Sequence, residues 1–204
     1  YIDNKGNIMF STINIGGEIV NEVLKSYKIN NLNNNFYFFH IDGFFICYDR
    51  NTNKLLRYSI QSYDEIPFYN ETNIFSSYGN DILYCENHCI IKSVEKKKIL
   101  FKSDIEIQNF TVSNFAKKLV TSDYENGIEI HDLEKNKSIK CNFDCLVKNI
   151  MITNYQHFII VDTIKKLYIL SNDGKIIESL DIKSPIVKWE SITNSSKTDI
   201  IILL

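Results

Sequence analysis

The fold is decided by the stretch KKLVTSDYENGIEIHDLEKNK, residues 117–137. Apolar and polar residues alternate in VTS and again in IEIHD, and the polar corner DYENG lies between the two runs. Alternation with a period of two predicts half-buried β-strands, and a short polar segment that ends in glycine predicts a turn. The stretch therefore predicts two strands of a hairpin rather than a helix.

Four other segments repeat this order of an apolar-x-apolar strand, a polar residue, a turn and a further strand. Aligned on Asp132, the equivalent positions are Thr12, Asp49, Ser93 and Ser171, which gives spacings of 37, 44, 39 and 39 residues. A period of about 40 residues with about four short strands is typical of a β-propeller blade. The 44-residue interval contains QSYDEIPFYNET, and its proline, Pro67, predicts an inserted loop there.

The predicted fold class is therefore all-β, a β-propeller with about five four-stranded blades or a segment of a seven-bladed ring. Residues 1–204 are expected to form a single propeller domain, or a fragment whose blades are incompletely closed at both ends. This expectation comes from a sequence that starts at Tyr1 and ends in the apolar run DIIILL. Gly127 and Gly174 fall at corners where we expect positive φ.

Composition gives little indication of the partner. The formal net charge is −2 and the pI is about 6.1, so no global basic field indicates nucleic acid or a membrane. Lysines cluster at residues 96–98, 117–118 and 165–166. Each cluster falls at a predicted turn, where charged side chains are in contact with solvent, so no phosphate-binding site is needed to explain them. No apolar run approaches the ~18 residues of a spanning helix, so a membrane partner is not expected.

The chain has five cysteines, and because this number is odd they cannot all be paired in disulfides within the segment. A zinc site would use Cys85, Cys89, Cys141 and Cys145, with His88 as a substitute ligand. Structural zinc prefers C-x2-C knuckles, however, and these pairs are C-x3-C. We expect reduced cysteines, no cofactor and no metal, in an intracellular protein of the cytoplasm or nucleus.

The stretch AKKLVTSDYENGIEIHDLEKNK resembles a WD-repeat. The resemblance places Thr121 at the usual Ser/Thr of the repeat's hydrogen-bonded tetrad, Glu125 at the tight-turn Asp, and His131-Asp132 at Trp-Asp. No Gly-His dipeptide precedes any repeat, and the single tryptophan is Trp189. The family pattern thus implies that the usual Asp-His-Ser-Trp network is absent or rebuilt. It also implies a non-catalytic scaffold that mediates protein–protein interactions within a eukaryotic complex.

A second resemblance involves NFTVSNFAKKLVTSDYENGIEI, residues 109–130, which is similar to the central repeat of the non-catalytic WD-repeat subunit of tRNA guanine-N7 methyltransferase. The positions that match without a gap are Val112-Ser113, Thr121-Ser122-Asp123 and Ile128. Tyr124, Glu125 and Glu129 depart from the pattern, and Glu129 inverts the charge of a basic residue that contacts the catalytic subunit there. This resemblance implies an alternative role in tRNA processing, stabilising a methyltransferase partner and meeting nucleic acid at most indirectly.

Catalysis has little support in the sequence. The four histidines lie in four different repeats, and no nucleophile, zinc or phosphate-binding motif occurs. The carboxylates Asp123, Glu125, Asp162 and Asp173 are placed at predicted turns, where local hydrogen bonding explains them. We expect no enzyme, and a propeller enzyme of the hydrolase type is the second alternative.

The predicted partner-binding residues are aromatic side chains at turns together with the departures from the methyltransferase-subunit pattern. Aromatic anchors contribute strongly to protein interfaces when they are exposed before binding. The aromatic candidates are Tyr63, Phe68, Tyr69 and Tyr124. The acidic candidates are Glu125 and Glu129.

Overall fold

The computed structural model describes residues 7–13, 19–28, 36–41, 44–59, 61–68, 72, 74–78, 81–113, 115–153, 157–182, 188–193 and 198–203. Twenty β-strands and no helix occur among these residues. Accordingly, no helix of the described residues has the length and hydropathy of a membrane span. The chain divides into two compact units, Tyr1–Asn73 and Ile74–Leu204.

The first unit contains a two-stranded antiparallel sheet, β1–β2, and a four-stranded antiparallel sheet, β3–β4–β5–β6. A core cluster of Ile8, Cys47 and Tyr58 joins the two sheets. The strands are β1 (Asn7–Ile13), β2 (Ile19–Lys28), β3 (Phe36–Ile41), β4 (Phe44–Asp49), β5 (Lys54–Tyr58) and β6 (Tyr63–Pro67).

The second unit contains three four-stranded antiparallel sheets, β7 to β10, β11 to β14 and β15 to β18, and the hairpin β19–β20. In every four-stranded sheet the strands are hydrogen-bonded in sequence order. The strands are β7 (Phe75–Tyr78), β8 (Asp81–Glu86), β9 (Ile90–Ser93), β10 (Ile99–Lys102), β11 (Asn109–Ser113), β12 (Lys118–Ser122), β13 (Gly127–Asp132), β14 (Lys137–Asn142), β15 (Val147–Ile152), β16 (Ile159–Thr163), β17 (Lys166–Leu170), β18 (Ile176–Asp181), β19 (Lys188–Thr193) and β20 (Thr198–Leu203).

The two faces of the β11–β14 sheet are both buried, each against a neighbouring sheet. Leu119 packs with Leu83 and Ile107 on one side, whereas Val120 packs with Val161 and other residues of β15–β17 on the other. Because both faces are covered, β12 has little exposed surface although its residues alternate between the faces. Burial of these two apolar layers is the main force that stacks the sheets of this unit.

The prediction of an all-β chain made of four-stranded antiparallel sheets is confirmed. The strands predicted for the repeats NFTVS to IKCNF and VKNIMI to IIESLD coincide with β11–β14 and β15–β18. In place of a fifth complete sheet, the described residues form the separate hairpins β1–β2 and β19–β20. The grouping of residues 1–204 into one propeller domain stays a prediction.

The inserted loop predicted around Pro67 is wrong, because this segment contains a strand. β6 pairs along its full length with β5, and Pro67 lies opposite Lys54. A proline is tolerated there because β6 is an edge strand, whose outward backbone groups need no partner within the sheet. The chain then returns to the sheet through a hydrogen bond from Phe68 N to Asn53 O at 2.8 Å.

The predicted position of Asp49 in the repeat is also wrong. Asp49 ends β4, the second strand of its sheet, whereas Ser93 and Asp132 end third strands. The structural equivalent is Ser59, which follows the third strand β5. The successive spacings then become 34 residues from Ser59 to Ser93, 39 from Ser93 to Asp132 and 39 from Asp132 to Ser171.

A shared hydrogen bond explains why a polar residue recurs at this position. The side chain accepts a backbone N–H from the turn that follows the third strand, as in Asx and Ser/Thr turns. The acceptor–donor pairs are Ser59 Oγ with Ser62 N at 2.8 Å, Ser93 Oγ with Lys96 N at 2.8 Å, Asp132 Oδ1 with Lys135 N at 2.9 Å, and Ser171 Oγ with Lys175 N at 3.1 Å. Asp49 Oδ1 accepts the same kind of hydrogen bond from Asn51 N, but in the turn between the second and third strands of its sheet. This shared bond is why the sequence around Asp49 resembles the sequence around Ser93 and Asp132.

The two corner glycines meet different requirements. Gly174 has φ of 84°, as predicted, and glycine adopts this conformation without steric cost. Gly127 is not among the residues with positive φ, so the prediction for it is wrong. Glycine is required there by space instead, since a Cβ would collide with Oδ2 of Asp123 and lie 3.3 Å from Oδ1 of Asn142.

Candidate functional site

The β12–β13 turn is held in shape by Asp123. Its Oδ1 accepts hydrogen bonds from the backbone N–H of Glu125 and of Gly127, both at 2.9 Å. Asn126 fastens the turn to the β14–β15 connection by donating its side-chain amide to Phe143 O at 2.8 Å. Asp123 rather than Glu125 thus takes the tight-turn role that the WD-repeat resemblance assigned to Glu125. Glu125 is left exposed at the tip.

Tyr124 projects from the same turn and contacts the neighbouring sheet. Its side chain is 48% exposed, and its Oη lies 2.9 Å from Nδ1 of His88, with the ring centroids 5.8 Å apart. Burial, followed by the negative charge of Glu106, raises the pKa of Tyr124, so its hydroxyl keeps the proton that it can donate to His88. Tyr124 is therefore an exposed aromatic side chain with a fixed orientation.

His88 is itself held by local backbone geometry. Asn87 and His88 both have positive φ, 50° and 56°, in the tight turn that joins β8 to β9. His88 O accepts the backbone N–H of Ile107 at 2.5 Å, which links this turn to the start of the next sheet. Sequence reasoning considered His88 as a zinc ligand and missed its contact with Tyr124, because 36 residues separate the two positions.

A small groove lies beside this turn, between the β10–β11 connection and strands β12 to β14. Its cavity volume is only about 20 Å³, close to the space that one water molecule needs, so it is far smaller than a small-molecule pocket. The charged residues of its lining are Glu106, Asp123, Glu129 and Lys140. Three carboxylates against one ammonium make the groove a better match for a basic side chain than for an acidic one.

The structure brings together three of the predicted partner-binding residues, Tyr124, Glu125 and Glu129. Glu129 is half-buried on β13, where its cross-strand neighbours are Thr121 on one side and Lys140 on the other. Its Oε2 lies 3.9 Å from Nε2 of His131. We name the group of His88, Tyr124, Glu125 and Glu129 the turn surface.

The other predicted anchors lie in the first unit. Tyr63 is 42% exposed, but its hydroxyl donates to Glu65 Oε1 and its ring packs 4.9 Å from that of Tyr58. Phe68 is 4% exposed and meets the ring of Tyr48 edge-on at 5.3 Å, so the prediction that it is an exposed anchor is wrong. Tyr69 lies outside the described residues.

Thr121 and His131, which the WD-repeat resemblance places at the Ser/Thr and Trp positions, are in contact with each other. His131 is 8% exposed, its Nε2 lies 3.4 Å from Oγ1 of Thr121, and its ring centroid is 4.3 Å from that of Phe101. Burial lowers the pKa of His131, and the nearby carboxylate of Glu129 opposes this shift. The neutral imidazole of His131 therefore packs against Phe101, and this contact joins the β11–β14 sheet to the β7–β10 sheet.

The five cysteines are free thiols. Burial raises the pKa of Cys85 to about 12 and also raises that of Cys141, which places both among groups that stay protonated near neutral pH. Among the residues that the structure describes, no cluster of three or more His, Cys, Asp or Glu side chains is placed to hold a metal ion.

The sheet architecture is that of a β-propeller, and solved propeller structures are similar to this chain. No protein-family model and no curated protein matches it. The crystal structure of Sqt1 from Saccharomyces cerevisiae superposes with a TM-score of 0.57 at 11% identity, covering 97% of this chain and 63% of that one. At such identities the likeness establishes the fold alone.

Two further structures lead to the same conclusion. BBS1N, solved in complex with ARL6DN, has a TM-score of 0.61 at 8% identity and covers 88% of this chain and 66% of its own. A chain of the Mitotic Checkpoint Complex has a TM-score of 0.56 at 12% identity, with coverages of 85% and 58%. The chain thus spans about 58–66% of the length of these similar proteins.

Proposed function

We propose that this protein is a non-catalytic scaffold that binds a protein partner through the turn surface. The observation that carries the proposal is the position of Tyr124, an exposed aromatic side chain fixed by His88 at the edge of an acidic groove. A tyrosine offers a large contact area at a low cost in side-chain entropy, and such residues are enriched among interface hot spots.

The groove indicates the chemistry of that partner. Its volume is too small to admit a side chain, so a residue of the partner would lie against its rim, where the carboxylates of Glu106, Asp123 and Glu129 favour lysine or arginine over acidic residues. The partner is therefore a protein that presents a basic side chain next to an apolar surface that covers Tyr124. BBS1N and the chain of the Mitotic Checkpoint Complex are propellers whose structures were solved within protein complexes, which supports a role of this kind.

Affinity purification of the full chain from its source organism, followed by mass spectrometry, tests the proposal. Tyr124→Ala should lose the partner, whereas Tyr63→Ala, a comparably exposed tyrosine of the other unit, should retain it. Equal recovery of every protein by the two variants would show that the turn surface is not the binding site. Turnover of a small molecule by the purified chain alone would contradict the non-catalytic role.

A second candidate function is that of the non-catalytic subunit of a tRNA guanine-N7 methyltransferase. The resembling stretch, residues 109–130, contains β11, β12 and most of β13, which are neighbouring strands of one sheet, and this supports an alignment within one structural unit. The acidic Glu129 requires a methyltransferase whose contacting group is basic or neutral. Recovery of a methyltransferase catalytic subunit in the same purification supports this candidate, and its absence excludes it.

The proposal also includes an intracellular location, in the cytoplasm or nucleus. The five cysteines are free thiols, a state that reducing compartments maintain. Fluorescence microscopy of the tagged protein in its source organism checks this location, and a secreted or surface-exposed protein would contradict it.

A further inference from the structure

The fourth strands of the four-stranded sheets differ in how their outer edges are protected. Edge strands commonly carry lysine or proline, which discourage pairing with another chain. Such residues occur in three of the four strands: Pro67 in β6, Lys102 in β10, and Lys137 and Lys140 in β14. The sequence of β18, IIESLD, contains neither.

β18 is also the strand with the most exposed apolar surface among these four. All six of its residues are exposed, including Ile176 at 57%, Ile177 at 55% and Leu180 at 47%. Within the part of the chain that the structure describes, β18 pairs with β17 and no strand covers its other edge. A sheet edge with three half-exposed aliphatic side chains is a surface that pairing with another strand would bury.

Backbone N–H and C=O groups of β18 that point away from β17 can form hydrogen bonds with another strand over a defined segment. Ile182 N donates to Lys165 O at 2.8 Å, and hydrogen-bonded pairs alternate with non-bonded pairs in an antiparallel ladder. The backbone groups of Leu180 and Glu178 therefore face β17, and those of Ser179 and Asp181 point away from the sheet. A register shift opposite Leu170 interrupts the ladder near Ile177, so the regular accepting segment is residues 178–182.

The charged residues of this segment indicate which kind of strand could pair with it. Glu178 and Asp181 are its ionisable residues, and Asp181 Oδ1 is 3.5 Å from Nζ of Lys166 on the neighbouring strand. β18 contains no basic residue, so a second copy of it would offer no opposite charge to Glu178 or Asp181. A strand that alternates basic and apolar residues would instead place its basic side chains beside Asp181 and its apolar side chains beside Leu180, because these two neighbouring residues lie on opposite faces of the sheet.

We propose that the outer edge of β18 receives an extended segment of a protein partner as a fifth strand, with basic residues alternating with apolar ones. This inference rests on the proposed scaffold function and adds a second contact surface to it. The backbone groups of Ser179 and Asp181 provide the hydrogen bonds, and the side chains of residues 176–181 provide selectivity.

A peptide titration with the full chain tests this surface. The probe is a fluorescein-labelled (Lys-Val)3 peptide, compared with (Glu-Val)3, with binding followed by fluorescence anisotropy and amide exchange followed by NMR. The basic peptide should bind and slow exchange of the amides of Ser179 and Asp181. The acidic peptide should bind at least about tenfold more weakly, a factor that corresponds to about 1.4 kcal/mol.

Two variants keep the test independent of folding. Ser179→Pro replaces an N–H that points away from β17, so it should abolish binding without changing the circular dichroism spectrum. The double variant Glu178→Lys/Asp181→Lys should reverse the preference between the two peptides, whereas Glu134→Lys, an exposed position of the β13–β14 turn, should not.

The outcomes separate this inference from the proposed function. Tyr124→Ala should leave peptide binding unchanged, although it is expected to lose the partner of the turn surface. Binding of neither peptide, equal binding of both, or protection of amides outside β18 would overturn the inference. Self-association of the chain that Ser179→Pro abolishes would identify a second copy as the occupant and also overturn it.

Discussion

Thr121 on β12 and His131 on β13 are diagonal neighbours on one face of the sheet, with Oγ1 and Nε2 3.4 Å apart in a nearly solvent-free position. The histidine occupies the place that the WD-repeat resemblance gives to tryptophan. A titratable ring thus lies where an apolar ring is usual, which makes the contact between the β7–β10 and β11–β14 sheets sensitive to pH.

The first prediction concerns this sensitivity. The pKa of His131 is below its ordinary 6.5 in the fold because of burial, so the unfolded chain takes up a proton first as the pH falls. Stability is therefore lost as the pH falls below about 6.5. Urea unfolding between pH 7.5 and 5 should show a smaller loss for the double variant Thr121→Val/His131→Phe than for the native chain. Identical pH profiles for the two would contradict the prediction.

The second prediction concerns Asp132. Hydrogen bonds from Lys118 Nζ and then from the backbone of the turn lower its pKa to about 2. A carboxylate with a lowered folded-state pKa contributes stability above its ordinary value of 3.8, and this contribution disappears as the pH falls towards 2. Asp132→Asn should reduce the melting temperature at pH 7 and flatten the acid dependence between pH 4 and 2. Asp144→Asn, at an exposed position, is the control that should change neither.

The third prediction concerns Asp162, which is 4% exposed on β16 and whose Oδ1 has no hydrogen-bond partner. Burial raises its pKa, with the positive charge of Lys148 opposing the shift. The fold therefore favours the protonated form, and stability is lost as the pH rises through the folded-state pKa. Asp162→Val should increase the free energy of unfolding at pH 7 by about 1–3 kcal/mol, the usual cost of an unsatisfied buried polar group.

The matched control for this variant is Asp173→Val, at an exposed turn position. It should give no such gain, because that carboxylate is hydrogen-bonded to Ser171 in the fold and a valine at position 173 cannot replace the contact. Destabilisation by Asp162→Val in chemical denaturation would show that the carboxyl has a partner in the native state.

The fourth prediction concerns the close approach of Gly127 to Asp123. Gly127→Ala should destabilise the chain by about 1–3 kcal/mol, because the added methyl group overpacks the site and displaces the carboxylate that closes the turn. The double variant Asp123→Ala/Gly127→Ala should lose less than the sum of the two single variants, since one side of the collision is removed. Strict additivity in thermal unfolding would contradict this account.

The sequence was sufficient to predict the fold where alternation was strong and the turns were short. β11 to β18 follow this rule, and their strands lie where the pattern predicted them. The β6 segment was misassigned because a proline suggests a loop, and its place on a sheet edge depends on pairing with β5. Asp49 was misaligned because the side chain-to-turn hydrogen bond occurs in both hairpins of a sheet, so one polar residue does not identify the strand.

The candidate site could be predicted only in part. Tyr124, Glu125 and Glu129 are neighbours in sequence, and the turn between their strands makes them neighbours in space. The contact of Tyr124 with His88 depends on how two sheets stack, which the local sequence pattern does not specify. The burial of Phe68 has the same origin, since its position at a predicted corner does not reveal the ring of Tyr48 that covers it.

The order of strands within each sheet has a consequence for how the chain folds. Because every strand of a four-stranded sheet pairs with the strand before or after it, each ladder closes a short loop and costs little chain entropy. Proteins dominated by such local pairings have a low contact order and fold faster than β-sandwiches of similar size. Nucleation can begin in any one sheet and spread to the next along the chain, as in other repeat proteins.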